Sequence, residues 1–438
     1  MATLYDDLQQ VKPELAKCMK CGNCMAVCPI YITEKTEAGV ARGKITLAEA
    51  LLAGDLDLQD EDLIHKLFNC LVCKSCMQNC PCGVKFDRII LALRAEIARQ
   101  KGLHPLKKAI FAALKKQGLF DLGMRLGGSF QGLVFRRHPE KKAYYPRFRM
   151  GLSMKRILPA LAPVPFRSQV PSRITGEPKG ERPVRVAFFT GCSINYIYPQ
   201  IGHDVIEVLK ENGVEIVIPR DQCCCGIAAF VHGDIETARE LARKNLEAFA
   251  DCGTDYIITA CGSCGGSWQH EFKELLGDDP IYGPKAEYWS SRTYDISTFL
   301  TRVINYRKPQ GEINVTVTYH DPCHLKKTMK VYQEPREILR AIPGVELKEM
   351  NKPDACCGSG GSFSLTHYET SMEINQRKIA DASQTGAEEV ITGCPACMMH
   401  LADGINQFGK GQEVVHYISL LAESYRKEKG GNSCVGSF

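Results

Sequence analysis

The 438-residue sequence contains no run approaching the ~20 consecutive apolar residues of a membrane-spanning helix, which argues against an integral helical membrane protein. Its first residues, Met1-Ala2-Thr3-Leu4-Tyr5-Asp6-Asp7, carry neither the basic stretch nor the apolar core of a secretory signal, so the expected location is the cytoplasm. Nucleotide-binding signatures are missing as well. The glycine-rich stretch Gly358-Ser359-Gly360-Gly361-Ser362 is followed by no Lys-Ser/Thr pair and does not follow the Rossmann spacing, so no flavin or nicotinamide is expected on this chain. No nucleophile–base constellation stands out, and no recognition motif accompanies the basic residues, which argues against nucleic acid as a partner. What remains, 44% hydrophobic and 24% charged, is an ordinary globular composition with length for about three domains.

Cysteine is the opposite case. Twenty-two cysteines without an export signal point to a reducing compartment and to metal ligation, not disulfides. Cys18, Cys21, Cys24 and Cys28, closed by Pro29, read C-x2-C-x2-C-x3-C-P, and Cys70, Cys73, Cys76 and Cys80, closed by Pro81, repeat that spacing. In this ferredoxin run three thiolates hold one cubane and the fourth crosses to the other. The spacing therefore predicts one [4Fe–4S] cluster on Cys18, Cys21, Cys24 and Cys80, and a second on Cys70, Cys73, Cys76 and Cys28. Structural zinc is the alternative, but zinc modules use paired C-x2-C halves without a third cysteine two residues on.

Downstream, Cys192, Cys224-Cys225-Gly226 and Cys261-x2-Cys264 are matched by Cys323, Cys356-Cys357-Gly358 and Cys394-x2-Cys397, a repeat of about 132 residues. Five thiols per unit exceed the four of a cubane or a tetrahedral zinc. Either one is a spectator, or adjacent cysteines bridge or cap irons of an extended cluster. The glycine after each pair lets the backbone come close and aim N–H groups at sulfur. Cys82 and Cys223 are expected to be buried small residues, and Cys252, before Gly253 at a helix end, to be structural.

The expected fold is α+β and multidomain: a helical ferredoxin domain with two [4Fe–4S] motifs at 1–105, a helical, basic linker at 106–182, tandem α/β units with parallel sheets at 183–310 and 311–426, and a flexible tail at 427–438. Helical periodicity marks Ile45 to Leu52 and Phe86 to Gln100. Strands are expected at Val184–Phe189, Val214–Ile218, Tyr256–Thr259, Val315–Tyr319, Val345–Glu349 and Val390–Ile391, alternating with helices as in a parallel sheet. Ligands in such sheets sit beyond the carboxyl ends of the strands, where all three cysteine groups of each unit emerge, so they should converge. Residues 136–185 hold thirteen Lys and Arg against three acids. That excess is either a solvated linker or a surface for a partner subunit or anionic lipid, with peripheral contact on the inner face of the membrane as the lipid version.

His320 and His324 flank Cys323, with Asp321 placed to orient one imidazole. They are candidates for proton delivery near neutral pH, against the plainer alternative of histidines held by backbone hydrogen bonds. Because this run occurs in the second unit alone, that unit is the expected electron exit or redox-active site. Tyr196 and Tyr198 are weaker candidates of the same kind.

Two ferredoxin motifs followed by two Cys-Cys-Gly units resemble, over nearly the whole length, the iron–sulfur subunit of glycolate oxidase and its D-lactate dehydrogenase relatives. They also resemble the fused catalytic subunit of heterodisulfide reductase and the iron–sulfur subunit of anaerobic glycerol-3-phosphate dehydrogenase. Ala41-Arg42-Gly43-Lys44-Ile45 and His320-Asp321-Pro322-Cys323-His324 are similar to signatures of these families. The resemblance implies one or two further clusters, of the noncubane [4Fe–4S] type, with Cys192, Cys224, Cys225, Cys261 and Cys264 on one and Cys323, Cys356, Cys357, Cys394 and Cys397 on the other. It implies an oxidoreductase subunit that takes electrons from an FAD-containing 2-hydroxy acid dehydrogenase subunit and passes them to a quinone or another carrier. The alternative it leaves open is a thiol–disulfide reductase of the heterodisulfide type.

Overall fold

The computed structural model describes residues 5–139, 143–148, 152–176 and 184–430. Cys434, most of the expected tail, and Lys141 and Lys142 of the basic segment lie outside them.

The N-terminal unit is helical. Phe86–Lys101 is its central rod, with Ile89, Ile90 and Leu93 fully buried, and Ala41–Ala53 and Glu61–Phe68 pack on it. The periodicity read from Phe86 onward is the cause: apolar residues three and four apart make one stripe, which the shorter helices cover.

A short antiparallel sheet follows, formed by β1 (Phe135–Arg137), β2 (Ala143–Pro146) and β3 (Leu158–Pro159). The first Cys-Cys-Gly unit is built on β4 (Arg173–Ile174), β5 (Arg185–Phe189), β6 (Glu215–Val217), β7 (Tyr256–Thr259) and β8 (Thr293–Asp295), in the order β4-β6-β5-β7-β8. The second uses β9 (Val315–His320), β10 (Val345–Leu347), β11 (Glu389–Thr392) and β12 (Glu413–His416), in the order β10-β9-β11-β12. Val186 to Phe189 form an unbroken apolar run because the central strand is covered on both faces.

Both sheets are parallel except at one edge, where β4 pairs antiparallel with β6. The parallel sheets are as expected, and the antiparallel edge strand added to the first of them changes the status of the basic segment. In its described residues the segment is no solvated linker: it contributes a strand to the first sheet and inserts Phe166 so tightly that a Cβ on Gly202 would lie 2.6 Å from the ring. Its Arg156 donates to the Ser364 carbonyl at 2.5 Å, and the Ile157 amide donates to Asp403 at 3.0 Å.

The two units pack about a pseudo-twofold axis. The first long helix of unit one, Pro199–Glu211, lies on the last helix of unit two, Tyr417–Glu428. In the reciprocal contact, Glu334–Ala341 of unit two lies on Ile296–Val303 of unit one, where Arg302 pairs with Glu334 and Glu337. Across the same junction the Tyr417 hydroxyl donates to Asp295 at 2.7 Å. The final helix runs to Glu428, past the expected start of the tail.

Candidate metal centres

In the ferredoxin unit two cavities bring cysteines of both motifs together. Cys28 lines a cavity shared by Cys70, Cys73 and Cys76. Cys80 lines its neighbour, with Cys18, Cys21 and Cys24. Cys76, Ala41 and Phe86 border both, so the cavities adjoin. Cys82 also stands in the second wall. Burial pushes the Cys28 thiol up to about 12 and holds Cys76 well above the ordinary thiol range, so a positively charged group is needed before these thiols become thiolates. All described cysteines are free thiols.

In each Cys-Cys-Gly unit the three cysteine groups meet beyond the strand ends. Cys192 follows β5, Cys261 follows β7, Cys323 follows β9 and Cys394 follows β11. Gly191, at φ +59°, makes the close approach possible, since a Cβ there would sit 2.8 Å from the Cys264 sulfur. In unit one Cys224 faces Cys192 and Cys225, and Cys264 faces Cys225 and Cys261. In unit two Cys356 faces Cys323 at 3.9 Å and also Cys357, while Cys397 faces Cys357 and Cys394. The Gly358 amide donates to the Cys356 sulfur at 3.4 Å, the backbone contact expected of that glycine.

Convergence within each unit followed from the strand-end rule; continuity between units did not. Cys261 and Cys394 lie 4.0 Å apart across the pseudo-twofold junction, and Cys356 reaches Cys73 of the ferredoxin unit. Thiols thus run in one row from the ferredoxin cavities through unit two to unit one. Unit two, the expected exit, stands in the middle of that row. Contact with neighbouring thiols lowers Cys192, Cys225, Cys357, Cys394 and Cys73, and raises Cys224, Cys264, Cys397 and Cys356. Crowded buried thiols share protons because they cannot all ionise at once. Cationic iron removes that restriction, so the donor set fits iron–sulfur centres.

Three of the flanking residues behave differently from expectation. Asp321 orients no imidazole: it is buried in a two-point pair with Arg336, Oδ1 at 2.7 Å and Oδ2 at 3.1 Å. His324 is fully enclosed, and burial, followed by the Lys74 ammonium, pushes its imidazole down to about 4. Tyr196 turns its hydroxyl to Asp121 and Gln117, away from the thiol row; Tyr198 sits at the start of helix Pro199–Glu211. His320 is fully buried, with a ring nitrogen near the sulfurs of Cys357 and Cys397. Cys223 donates to the carbonyls of Cys224 and Leu241 at 3.6 Å, and Cys252 to Ala248 at 3.3 Å.

Several buried cations escaped the sequence reading. Lys44 is inaccessible, donates to the carbonyls of Ala38 (3.0 Å) and Gly39 (2.6 Å), and lies beside Cys70 and Cys28. It sits in the Ala41–Ile45 segment, which was the available signal. Burial pulls Lys327 down, but Cys323, Cys73 and Cys356 outweigh it and leave the ammonium raised. Arg94 donates to Phe68, Cys70 and Val231 carbonyls, tying the ferredoxin unit to unit one. His400 and His416 approach Cys357 and Cys394. His416 ends β12, a strand the sequence did not reveal.

These features define a class: an iron–sulfur protein joining a two-motif ferredoxin head to paired cysteine-rich domains. Residues 14–84 match the 4Fe-4S dicluster domain family, and residues 186–268 and 317–402 match the cysteine-rich domain family. The chain is 33% identical over 426 residues to the "Probable glycolate oxidase iron-sulfur subunit" of Bacillus subtilis, covering 94% of each chain. It is 33% identical over 238 residues to "Lactate utilization protein A" of Shouchella clausii, across 54% of this chain and 98% of that one. It is 29% identical to a subunit of the fumarate reductase (CoM/CoB) of Methanothermobacter marburgensis, covering 95% of this chain and 75% of that one. A solved structure of a hypothetical protein from Helicobacter pylori shares the fold, with TM-score 0.52, 11% identity, and coverage of 94% of this chain and 71% of that one. The chain belongs to the glycolate oxidase iron–sulfur subunit family.

Proposed function

We propose that this chain is the electron-transfer subunit of a flavin-dependent 2-hydroxy acid oxidoreductase, of the glycolate or lactate type. An FAD-containing partner oxidises the hydroxy acid, and a quinone or another carrier takes the electrons away. The observation that carries the reading is the continuous row of thiols. It supports one [4Fe–4S] cubane on Cys18, Cys21, Cys24 and Cys80, a second on Cys70, Cys73, Cys76 and Cys28, and a noncubane cluster on the five cysteines of each Cys-Cys-Gly unit. Bound there, the clusters supply one-electron redox chemistry. The chain's own residues hold the centres in sequence, bury them from water, and place Lys44 and Lys327 where negative charge would build up. Exposed Cys21 marks the ferredoxin end as the accessible end of the row.

Anaerobic iron analysis with EPR tests this. About sixteen irons per chain are expected for four four-iron clusters. Cys394→Ser should abolish passage of electrons from the ferredoxin centres to unit one while leaving both cubane signals. Zinc in place of iron, or undiminished passage in that variant, overturns the proposal. The relative whose name carries CoM/CoB keeps a second reading in view, reduction of a disulfide at a Cys-Cys-Gly centre. Reoxidation of the reduced protein by a heterodisulfide, with no response to a flavoprotein partner, would favour it.

A further inference from the structure

His320 ends β9 at zero exposure; its ring nitrogens make no hydrogen bond of ordinary geometry, and the group the ring faces is the Cys357 thiol. A buried polar atom left unpaired is destabilising, so a fold that keeps one there has a partner for it. The candidates are close at hand: a His320 ring nitrogen and the sulfurs of Cys357 and Cys397 all lie within 4.8 Å of one another. Unit one offers no counterpart. Three residues before its first cysteine stands Phe189, whose ring packs on Trp268 (centroids 5.5 Å apart) and Phe249 (5.8 Å). We propose that the ring N–H of His320 donates to the Cys357 thiolate when a cluster occupies unit two, so that this centre holds an added electron more tightly than that of unit one. A donor to a ligand sulfur draws negative charge off the metal core, and reduction adds negative charge, so the reduced form gains more. Electrons then collect mid-row, next to the ferredoxin head, and leave for unit one only when drawn.

This rests on the proposed cluster in unit two, and the experiment separates the two claims. Redox titration of the full holo-protein by EPR, with the unit-two signal identified by its loss in Cys357→Ser, gives each midpoint. His320→Phe, the residue found in unit one, should lower the reduction equilibrium constant of that centre about tenfold, or about 59 mV for one electron, and move no other centre. His320→Gln should recover part of the shift. In the wild type, ENDOR should show an exchangeable proton coupled to the unit-two centre, with the small nitrogen coupling of a donor. An unchanged midpoint in His320→Phe overturns the inference and leaves the cluster in place. If His320→Phe cannot hold the cluster, the wild-type spectrum decides: no exchangeable proton, or the strong nitrogen coupling of a direct iron bond, overturns it. A wild type without a unit-two signal overturns both claims.

A separate observation concerns the surface. Helix Gln117–Val134 exposes Leu119, Leu122, Leu126, Phe130 and Leu133, spaced on one face, and just beyond it Phe148 is 62% exposed. Residues 105–137 carry seven Lys and Arg and one acid, Asp121, which is engaged by Tyr196. We infer that this face lies on an anionic membrane surface, apolar side chains at the acyl boundary and basic groups at the lipid head groups. No described helix is long and apolar enough to cross a membrane, so the contact is interfacial. The holo-protein should co-sediment with phosphatidylglycerol-containing vesicles and not with pure phosphatidylcholine, and added salt should weaken the binding. Leu122→Ser/Leu126→Ser/Phe130→Ser should lower vesicle affinity at least tenfold while cluster content stays unchanged. Absence of binding to anionic vesicles, or a dimer dissolved by the triple variant, overturns it.

Discussion

Replacing Arg336 by Met tests whether Asp321 is structural. Arg336 has only 7% of its side chain exposed and pairs with Asp321 through both oxygens, while Glu349 takes its outer edge at 2.6 and 3.0 Å. Removing the guanidinium leaves Asp321, 2% exposed, with Lys326 at 3.6 Å as its remaining cation. Breaking a buried pair from one side costs about 3–5 kcal/mol, because the remaining charge has lost its compensation. Asp321→Asn should cost less, about 1–3 kcal/mol, since Arg336 keeps Glu349. The double variant should therefore be more stable than the sum of the single losses implies, by at least about 1 kcal/mol. Anaerobic denaturant unfolding of the holo-protein measures all three. Additive losses would show that the pair is not coupled. Electron transfer in Asp321→Asn, measured where the protein is folded, should match the wild type. A large loss of rate at full stability and full cluster content would make Asp321 part of a proton path, and the structural account would fail.

Gly226→Ala and Gly358→Ala should differ. Both positions are left-handed, at φ +83° and +91°, costing an alanine about 1–2 kcal/mol, but at Gly226 the new Cβ makes an ordinary 3.4 Å contact with the Ala238 oxygen, whereas at Gly358 it lies 2.4 Å from the Ser371 oxygen. The second variant should lose roughly 1–3 kcal/mol more, and equal unfolding midpoints would contradict the packing around Cys356–Cys357. Glu389 is pushed up to about 7 by burial and by Glu413, its cross-strand neighbour. The folded state binds that proton more tightly than the unfolded chain, so stability from this site is full below pH 4.5 and is lost as pH rises through 7. Glu389→Gln should therefore stabilise by about 1–3 kcal/mol at pH 8 and little at pH 5, read as thermal midpoints. Lys327→Met removes the cation between Cys73, Cys323 and Cys356 and should make the adjoining centres harder to reduce; unchanged midpoints would remove Lys327 from the charge balance.

Much of the fold was legible because it rests on local regularities. The Phe86 helix, β7 and the central strands β5 and β9 follow from apolar runs and helical periodicity, within a residue or two of where they lie. β8 and β12 were missed because each is three or four residues long and gains its strand character from a neighbour, not from its own pattern. β4 and Phe166 were hidden in a basic, proline-rich stretch whose composition suggested solvent. Asp321 looked like a partner for histidine because sequence adjacency was the available guide; Arg336, fifteen residues on, takes it in the folded chain.

By itself, the sequence determined the chemistry. Ferredoxin spacing and the repeated Cys-Cys-Gly groups are short-range patterns, and the strand-end rule turns each into a convergent thiol set. Tertiary structure alone decided how those sets are ordered. The contact of Cys261 with Cys394 and of Cys356 with Cys73 depends on which faces of three units pack together, and that choice is spread over many individually weak contacts. It also decided which histidine faces a thiol and which aspartate has a partner, since burial and distance are properties of the assembled chain.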